Sequence, residues 1–141
     1  MTPWILDASV FLAREDPDDR NHLESRRLLE GPEALATLDL AWYEVINVAV
    51  RVWRDAPAAR RLGQRLGAVA DDGGLVRGDP ALLAEASRVA IEHGISVYDA
   101  AYVAAARAVD GRLVSCDERD LVSKGLACLP AAARSGDPGA A

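Results

Sequence analysis

Cysteine, lysine and histidine are nearly missing from this chain, and each shortage closes a class of chemistry. Cys116 and Cys128 are its only cysteines, too few and too irregularly placed for a disulfide framework or a zinc cluster. A reducing cytoplasm is the expected setting. Lys124 is the only lysine, and 22 acidic residues outnumber 16 basic ones, for a net charge of -6. That balance excludes a protein that holds nucleic acid by bulk charge, so any action on a phosphate chain needs local neutralisation. His22 stands on a charged helix face and His93 in the last turn of a helix, where a cation complements the dipole. Neither reads as a catalytic base. No apolar run approaches a membrane span, and Asp7 interrupts the first one too early for a signal peptide. The expectation is a soluble cytoplasmic protein with no membrane partner.

What the chain does have is core. Half of its 141 residues are hydrophobic, enough for one compact domain over residues 1–130, followed by a flexible tail at 131–141 made of alanine, glycine, proline and serine. The apolar run Trp4-Ile5-Leu6 ends abruptly in Asp7 and reads as a buried first strand. Further strands are predicted at 34–37 and 112–115, with short apolar pieces at 75–76 and 127–129, the last as an edge strand. Helical patterns at 21–30, 57–69, from Asp79-Pro80 to Gly94 and from Ser96 to Val109 alternate with them, which predicts a parallel α/β sheet. Residues 40–54 are apolar nearly all round and predict a single helix. Its polar residues Glu44, Asn47, Arg51 and Arg54 recur at intervals of three, four and three, which aligns them in one stripe.

Four acids occupy comparable places. Asp7 and Asp117 end strands, in the position where ligands gather in an open parallel sheet, while Glu44 and Asp99 fall in the first turns of helices. Each has a plainer reading. Asp7 suits a helix N-cap, and Ser96 with Asp99 forms a capping-box pattern. If the four converge, carboxylates about 6 Å apart repel by roughly 3 kcal/mol per pair at an effective dielectric of 20. Such a cluster calls for a cation, and oxygen-only ligands point to Mg²⁺ or Mn²⁺. A metal held this way suits phosphodiester hydrolysis.

The segments Leu6-Asp7-Ala8-Ser9, Glu44 with Asn47, Tyr98-Asp99-Ala100-Ala101-Tyr102 and Ser115-Cys116-Asp117-Glu118-Arg119 resemble the successive motifs of PIN domains, and among these the VapC-type toxins. The resemblance runs from residue 1 to about 130 in order. It implies a three-layer α/β/α fold around a central parallel sheet and a Mg²⁺- or Mn²⁺-dependent endoribonuclease, with Asp7, Glu44, Asp99 and Asp117 as the metal-binding and catalytic acids. It also implies an RNA substrate, a homodimer, and a cognate antitoxin with a segment lying over the acidic site. Asp120 stays outside this set, although some relatives carry a further acid near that position, and is read as a cap for the helix after Asp117. Ser115 stands where such proteins carry threonine or serine and is placed to hydrogen-bond an acid or a water. Arg51 and Arg54 are candidates for RNA phosphates, against a plainer reading as solvated helix surface.

Two rival readings come from other classes. A phospho-aspartate enzyme with Asp7 as nucleophile would want a second acid two residues on, where Ser9 stands, or the paired acids and downstream lysine of a receiver domain. Neither pattern is met. A catalytically silent PIN-like interaction module is the alternative, and the complete set of acids argues against it.

Overall fold

The computed structural model describes residues 2–134. Four strands, β1 (Trp4–Leu6), β2 (Leu35–Leu38), β3 (Leu75–Val76) and β4 (Arg112–Val114), form one sheet in the order β3-β2-β1-β4, and every neighbouring pair is parallel. Trp4, Ile5 and Leu6 are all buried, as they must be in a strand covered on both faces, and this explains the unbroken apolar run in the sequence. Six α-helices connect the strands: α1 (Ala8–Glu15), α2 (His22–Glu30), α3 (Leu40–Asn47), α4 (Ala56–Asp71), α5 (Pro80–His93) and α6 (Val97–Ala108).

The strand order grows outward from β1 to β3 and then returns past β1 to β4. Because parallel crossovers are right-handed, the reversal sends α5 and α6 to the opposite face from α1 to α4. In agreement, α6 packs on β1, β2 and β4, while α1 and α4 pack on β1 and β2 and on each other. The result is the three-layer α/β/α sandwich. Alanines carry the α6 layer: Ala100, Ala101, Ala104 and Ala105 are buried, and their small side chains let α5 and the sheet come close. Gly111 serves the same closeness at the entry to β4, where a Cβ would stand 2.1 Å from Ile5 Cδ1.

The reversal point lies between β1 and β4. In open parallel sheets ligands bind in the crevice outside the strand ends at such a point. Leu6 pairs with Val114 across it, so the residues that follow, Asp7 on one side and Ser115 to Asp117 on the other, share that crevice.

Several expectations change. The single helix expected over 40–54 is α-helical only to Asn47, and Val48–Val52 then form a π-helical turn, closed by Trp53 N–H donating to the Val48 carbonyl at 3.0 Å. Three β-branched valines in this stretch weaken the α-helix, and a wider turn shifts every later side chain by about 100°. The polar stripe is therefore broken: Arg54, with φ at 51°, has left the helix altogether. Glu44 lies in the second turn of α3 rather than the first. The edge strand expected at 127–129 is a single parallel bridge from Cys128 to Val114. A π-helical turn, Glu118–Val122, follows Asp117 in place of an α-helix. Of the expected tail, Pro130–Ala132 form a 3-10 turn and Ala133 is buried, its carbonyl and that of Pro130 accepting from Arg27; residues 135–141 lie outside the described residues.

Candidate metal centre

Asp7 follows β1 directly and caps α1: its Oδ1 accepts from the Ser9 backbone N–H at 3.0 Å and from the Ser9 hydroxyl. It is 5% exposed, so the cap and the buried acid are one residue. Burial pushes its carboxyl up to about 6, against the opposing donations of Ser115 and Ser9, and the charge of Asp99 adds to the rise. The Ser9 hydroxyl also accepts from the Cys116 N–H at 2.9 Å, and the Ser115 hydroxyl accepts from the Asp117 N–H at 3.0 Å. Two serines thus lace the end of β1 to the end of β4. The Cys116 thiol is pushed up to about 11 by burial first, with Asp7 adding to the rise, and stays protonated near neutral pH.

Asp99 shows how a cap and a site coexist. Its backbone N–H donates to the Ser96 hydroxyl at 3.0 Å, the reciprocal start that fixes the first turn of α6. Its carboxyl, which the Ser96 side chain also reaches, stands close to those of Asp117 and Asp120. One carboxylate oxygen from each of these three residues lies within 4.8 Å of the others, and all three side chains are half-buried. Burial raises the Asp99 carboxyl above the ordinary carboxylate range, and the charges of Asp117 and then Asp120 raise it further.

Asp120 therefore stands in the group, although the sequence reading left it outside the acidic set. Its N–H does donate to Asp117 Oδ1 at 3.0 Å, and that tight turn is what brings its own carboxyl alongside. The signal was a second acid three residues after a strand-ending acid.

Glu44 approaches from α3. Its carboxyl is raised mainly by burial, with the Asp99 charge adding to this, and a hydrogen bond from Tyr102 opposes both. The charges of Asp7 and Glu44 also bear on Tyr102, whose hydroxyl burial drives far above its ordinary value. Asp99 is thus the common neighbour: its charge bears on Asp7 and on Glu44, and those of Asp117 and Asp120 bear on it, while the tightest group is Asp99, Asp117 and Asp120.

Among the described residues no lysine or arginine pairs with Asp7, Glu44, Asp99 or Asp117; only Arg119, 94% exposed, approaches Asp120, at 3.9 Å. Carboxylates at about 5 Å repel by up to roughly 3 kcal/mol per pair, less where water screens them. A concentrated, oxygen-only donor set with one exposed arginine beside it fits a hard divalent cation.

Along α3 a groove of about 910 Å³ is lined by Trp42, Tyr43, Ile46, Val50, Arg51 and Arg77, with Asp39 and Asn47. Neither Arg51 nor Arg77 has an ion-pair partner among the described residues. Arg54 does not line it. Arg77 arrives on the loop after β3, which no local pattern connects to α3. His22 donates from Nδ1 to the Ala13 carbonyl at 2.8 Å, and His93 closes α5 before Gly94, at φ 64°.

Comparison with known proteins gives the same picture. A family model described as PIN domain matches residues 4–124. A protein named Ribonuclease VapC3, from Pyrobaculum aerophilum, is 33% identical, with 85% of this chain and 92% of that protein aligned. Among solved structures, PAE2754 of Pyrobaculum aerophilum superposes with a TM-score of 0.66 at 26% identity, covering 92% of this chain and 85% of that one. A toxin-antitoxin complex from Klebsiella pneumoniae superposes with a TM-score of 0.69 at 16% identity, covering 89% and 96%. The order of acids along the chain, their meeting at the sheet reversal and these matches agree: the chain belongs to the PIN-domain family.

Proposed function

We propose that the protein is a metal-dependent endoribonuclease that hydrolyses RNA phosphodiester bonds, and that it is the toxin of a toxin-antitoxin pair. The observation that carries the reading is the close group of Asp99, Asp117 and Asp120 at the sheet reversal, with only the exposed Arg119 near it, in a chain 33% identical to a protein named as a ribonuclease. Mg²⁺ or Mn²⁺ is the cofactor that this donor set suits.

Asp99, Asp117 and Asp120 would hold the ion, with Asp7 and Glu44 completing the acidic wall. Bound there, the cation supplies a Lewis acid that stabilises the negative charge growing on the phosphoryl group and makes water a better nucleophile. The chain's own part is positioning. Ser9 and Ser115 hold Asp7 and the backbone of Asp117 in place, so the acids spend no reorganisation when charge develops. Arg51 and Arg77, unpaired beside Trp42 and Tyr43, offer guanidinium groups to phosphates and aromatic faces to unstacked bases, a combination that suits single-stranded RNA. They provide the local neutralisation that a net charge of -6 requires.

Val97 and Tyr98, 45% and 63% exposed, directly precede Asp99 and would give the acidic site an apolar rim. A cognate antitoxin segment covering the acids would bury that rim. Action in the cytoplasm, and as a homodimer, belongs to the same reading.

The test is cleavage of a structured RNA by purified, antitoxin-free protein in EDTA and in millimolar Mg²⁺ or Mn²⁺. Cleavage only with metal, lost in Asp99→Asn at unchanged secondary structure, supports the reading. Equal cleavage by wild type and Asp99→Asn from matched preparations overturns it, and metal binding without cleavage of any RNA favours the silent module.

A further inference from the structure

Glu44 has one hydrogen-bond partner among the described residues, the hydroxyl of Tyr102, which donates to Oε1 at 2.5 Å. The two residues are 58 positions apart and belong to different helices on different faces of the sheet. Tyr102 is 2% exposed, and a phenol that deep needs an acceptor. Ordinary structural reasons account for the ring, which fills space beneath α6. They do not account for the choice of acceptor, because the hydroxyl is spent on a half-buried acid of the site rather than on a backbone carbonyl.

The position of Tyr102 makes that choice consequential. It lies three residues after Asp99 on α6, on a helix whose backbone is anchored at Ser96 and whose alanine face is packed against the sheet. A bond from this rigid element to Glu44 therefore ties the acid on α3 to the element that carries Asp99. A phenol has one proton to give. Donated to Oε1, it commits that oxygen and leaves Oε2 as the free donor of the carboxylate. Without it, the three side-chain torsions of Glu44 are free to swing the carboxyl toward solvent.

Resting on the metal-dependent nuclease reading, we propose that Tyr102 is a positioning residue of the site: its hydroxyl pins Glu44 by Oε1, so that Glu44 serves the centre through Oε2 alone, toward the cation or a water beside it. Asp99, Asp117 and Asp120 then hold the ion in the absence of Glu44, and the Tyr102–Glu44 pair sharpens both affinity and rate. Groups that orient metal-site carboxylates in this way are worth about 10- to 100-fold in metal affinity or activity.

The experiment uses Tyr102→Phe, which keeps the ring, with Glu44→Gln and the double variant. Mn²⁺ binding is measured by titration calorimetry below the melting transition of every protein, and RNA cleavage as kcat and KM. For Tyr102→Phe the expected result is Mn²⁺ affinity weakened about 10-fold and kcat lowered about 10-fold with KM nearly unchanged. In the Glu44→Gln background, Tyr102→Phe should add nothing to either loss, since the two residues act as one unit. A role confined to packing would lower the melting temperature, leave the Mn²⁺ affinity where it was, and add to the effect of Glu44→Gln. That outcome overturns the proposal. Should Tyr102→Phe fail to fold, Glu44→Asp, one methylene too short to span the gap, should give the same losses, and wild-type affinity and kcat there would equally overturn it. Wild type that neither binds Mn²⁺ nor cleaves RNA removes the nuclease reading and this inference together, whereas an active wild type matched by Tyr102→Phe removes only this one.

Discussion

The Cys116 backbone N–H donates to the Ser9 hydroxyl at 2.9 Å, across 107 positions of sequence. That bond closes the crevice between β1 and β4, because the same hydroxyl donates to Asp7. One small side chain thus satisfies a backbone donor at the end of β4 and an acid at the end of β1.

Ser9→Ala is accordingly expected to destabilise the metal-free protein by about 1 to 3 kcal/mol, since it leaves a part-buried N–H unpaired and takes a donor from a buried carboxylate. Denaturant unfolding in EDTA measures it. A change below about 0.5 kcal/mol would show that water replaces the hydroxyl on both sides.

Asp7 sets a pH dependence with a definite sign. Its folded-state carboxyl titrates at about 6 against an ordinary 3.8, so between those values the folded protein binds more protons than the unfolded chain. The stability it contributes is full below about pH 4 and is lost as pH rises through 6, by about 3 kcal/mol in all. Relative to wild type in EDTA, Asp7→Asn should flatten stability across this window and melt higher at pH 7. Parallel pH profiles for the two proteins would refute the assignment.

Metal should act in the opposite direction. A cation that binds only the folded state raises the melting temperature by mass action, so millimolar Mg²⁺ or Mn²⁺ should stabilise wild type at pH 7. Asp120→Asn should reduce that shift as much as Asp117→Asn does, because the two carboxyls stand equally in the tight group. A full wild-type shift in Asp120→Asn would return Asp120 to a capping role.

The groove beside α3 makes a kinetic prediction. Arg51→Ala and Arg77→Ala remove charges that bind RNA before and during reaction alike, so KM should rise several-fold while kcat holds. Raising salt should weaken wild type more than the double variant. Equal KM values and equal salt slopes would remove the groove from the RNA path.

Much of this was readable from residues 4–7 and 112–117 alone. Short apolar runs ending in acids are local patterns, and they placed Asp7 and Asp117 at strand ends before any contact was known. The Ser96 cap, the Asp79-Pro80 start and the Gly94 stop were legible for the same reason: each is satisfied within one turn of its own chain. The helix over 40–54 was less secure. Its apolar pattern was correct, yet β-branched valines at 48, 50 and 52 opened it into a π-turn, and a stripe drawn with α-helical spacing could not survive that.

What the sequence by itself determined, then, is which residues end strands and cap helices, because backbone hydrogen bonding and side-chain periodicity act over a few residues. Only the tertiary structure decided which of these groups meet. The return of β4 to the far side of β1 sets Asp117 and Asp120 against Asp99, and no window of sequence contains that crossover. Thr37 reaches from β2 to donate to the Leu6 carbonyl at 2.7 Å, Arg77 joins the groove of α3, and Tyr102 finds Glu44. Each of these depends on the distance and direction of side chains carried by separate elements, and those are set by packing against the sheet rather than by neighbours in the chain.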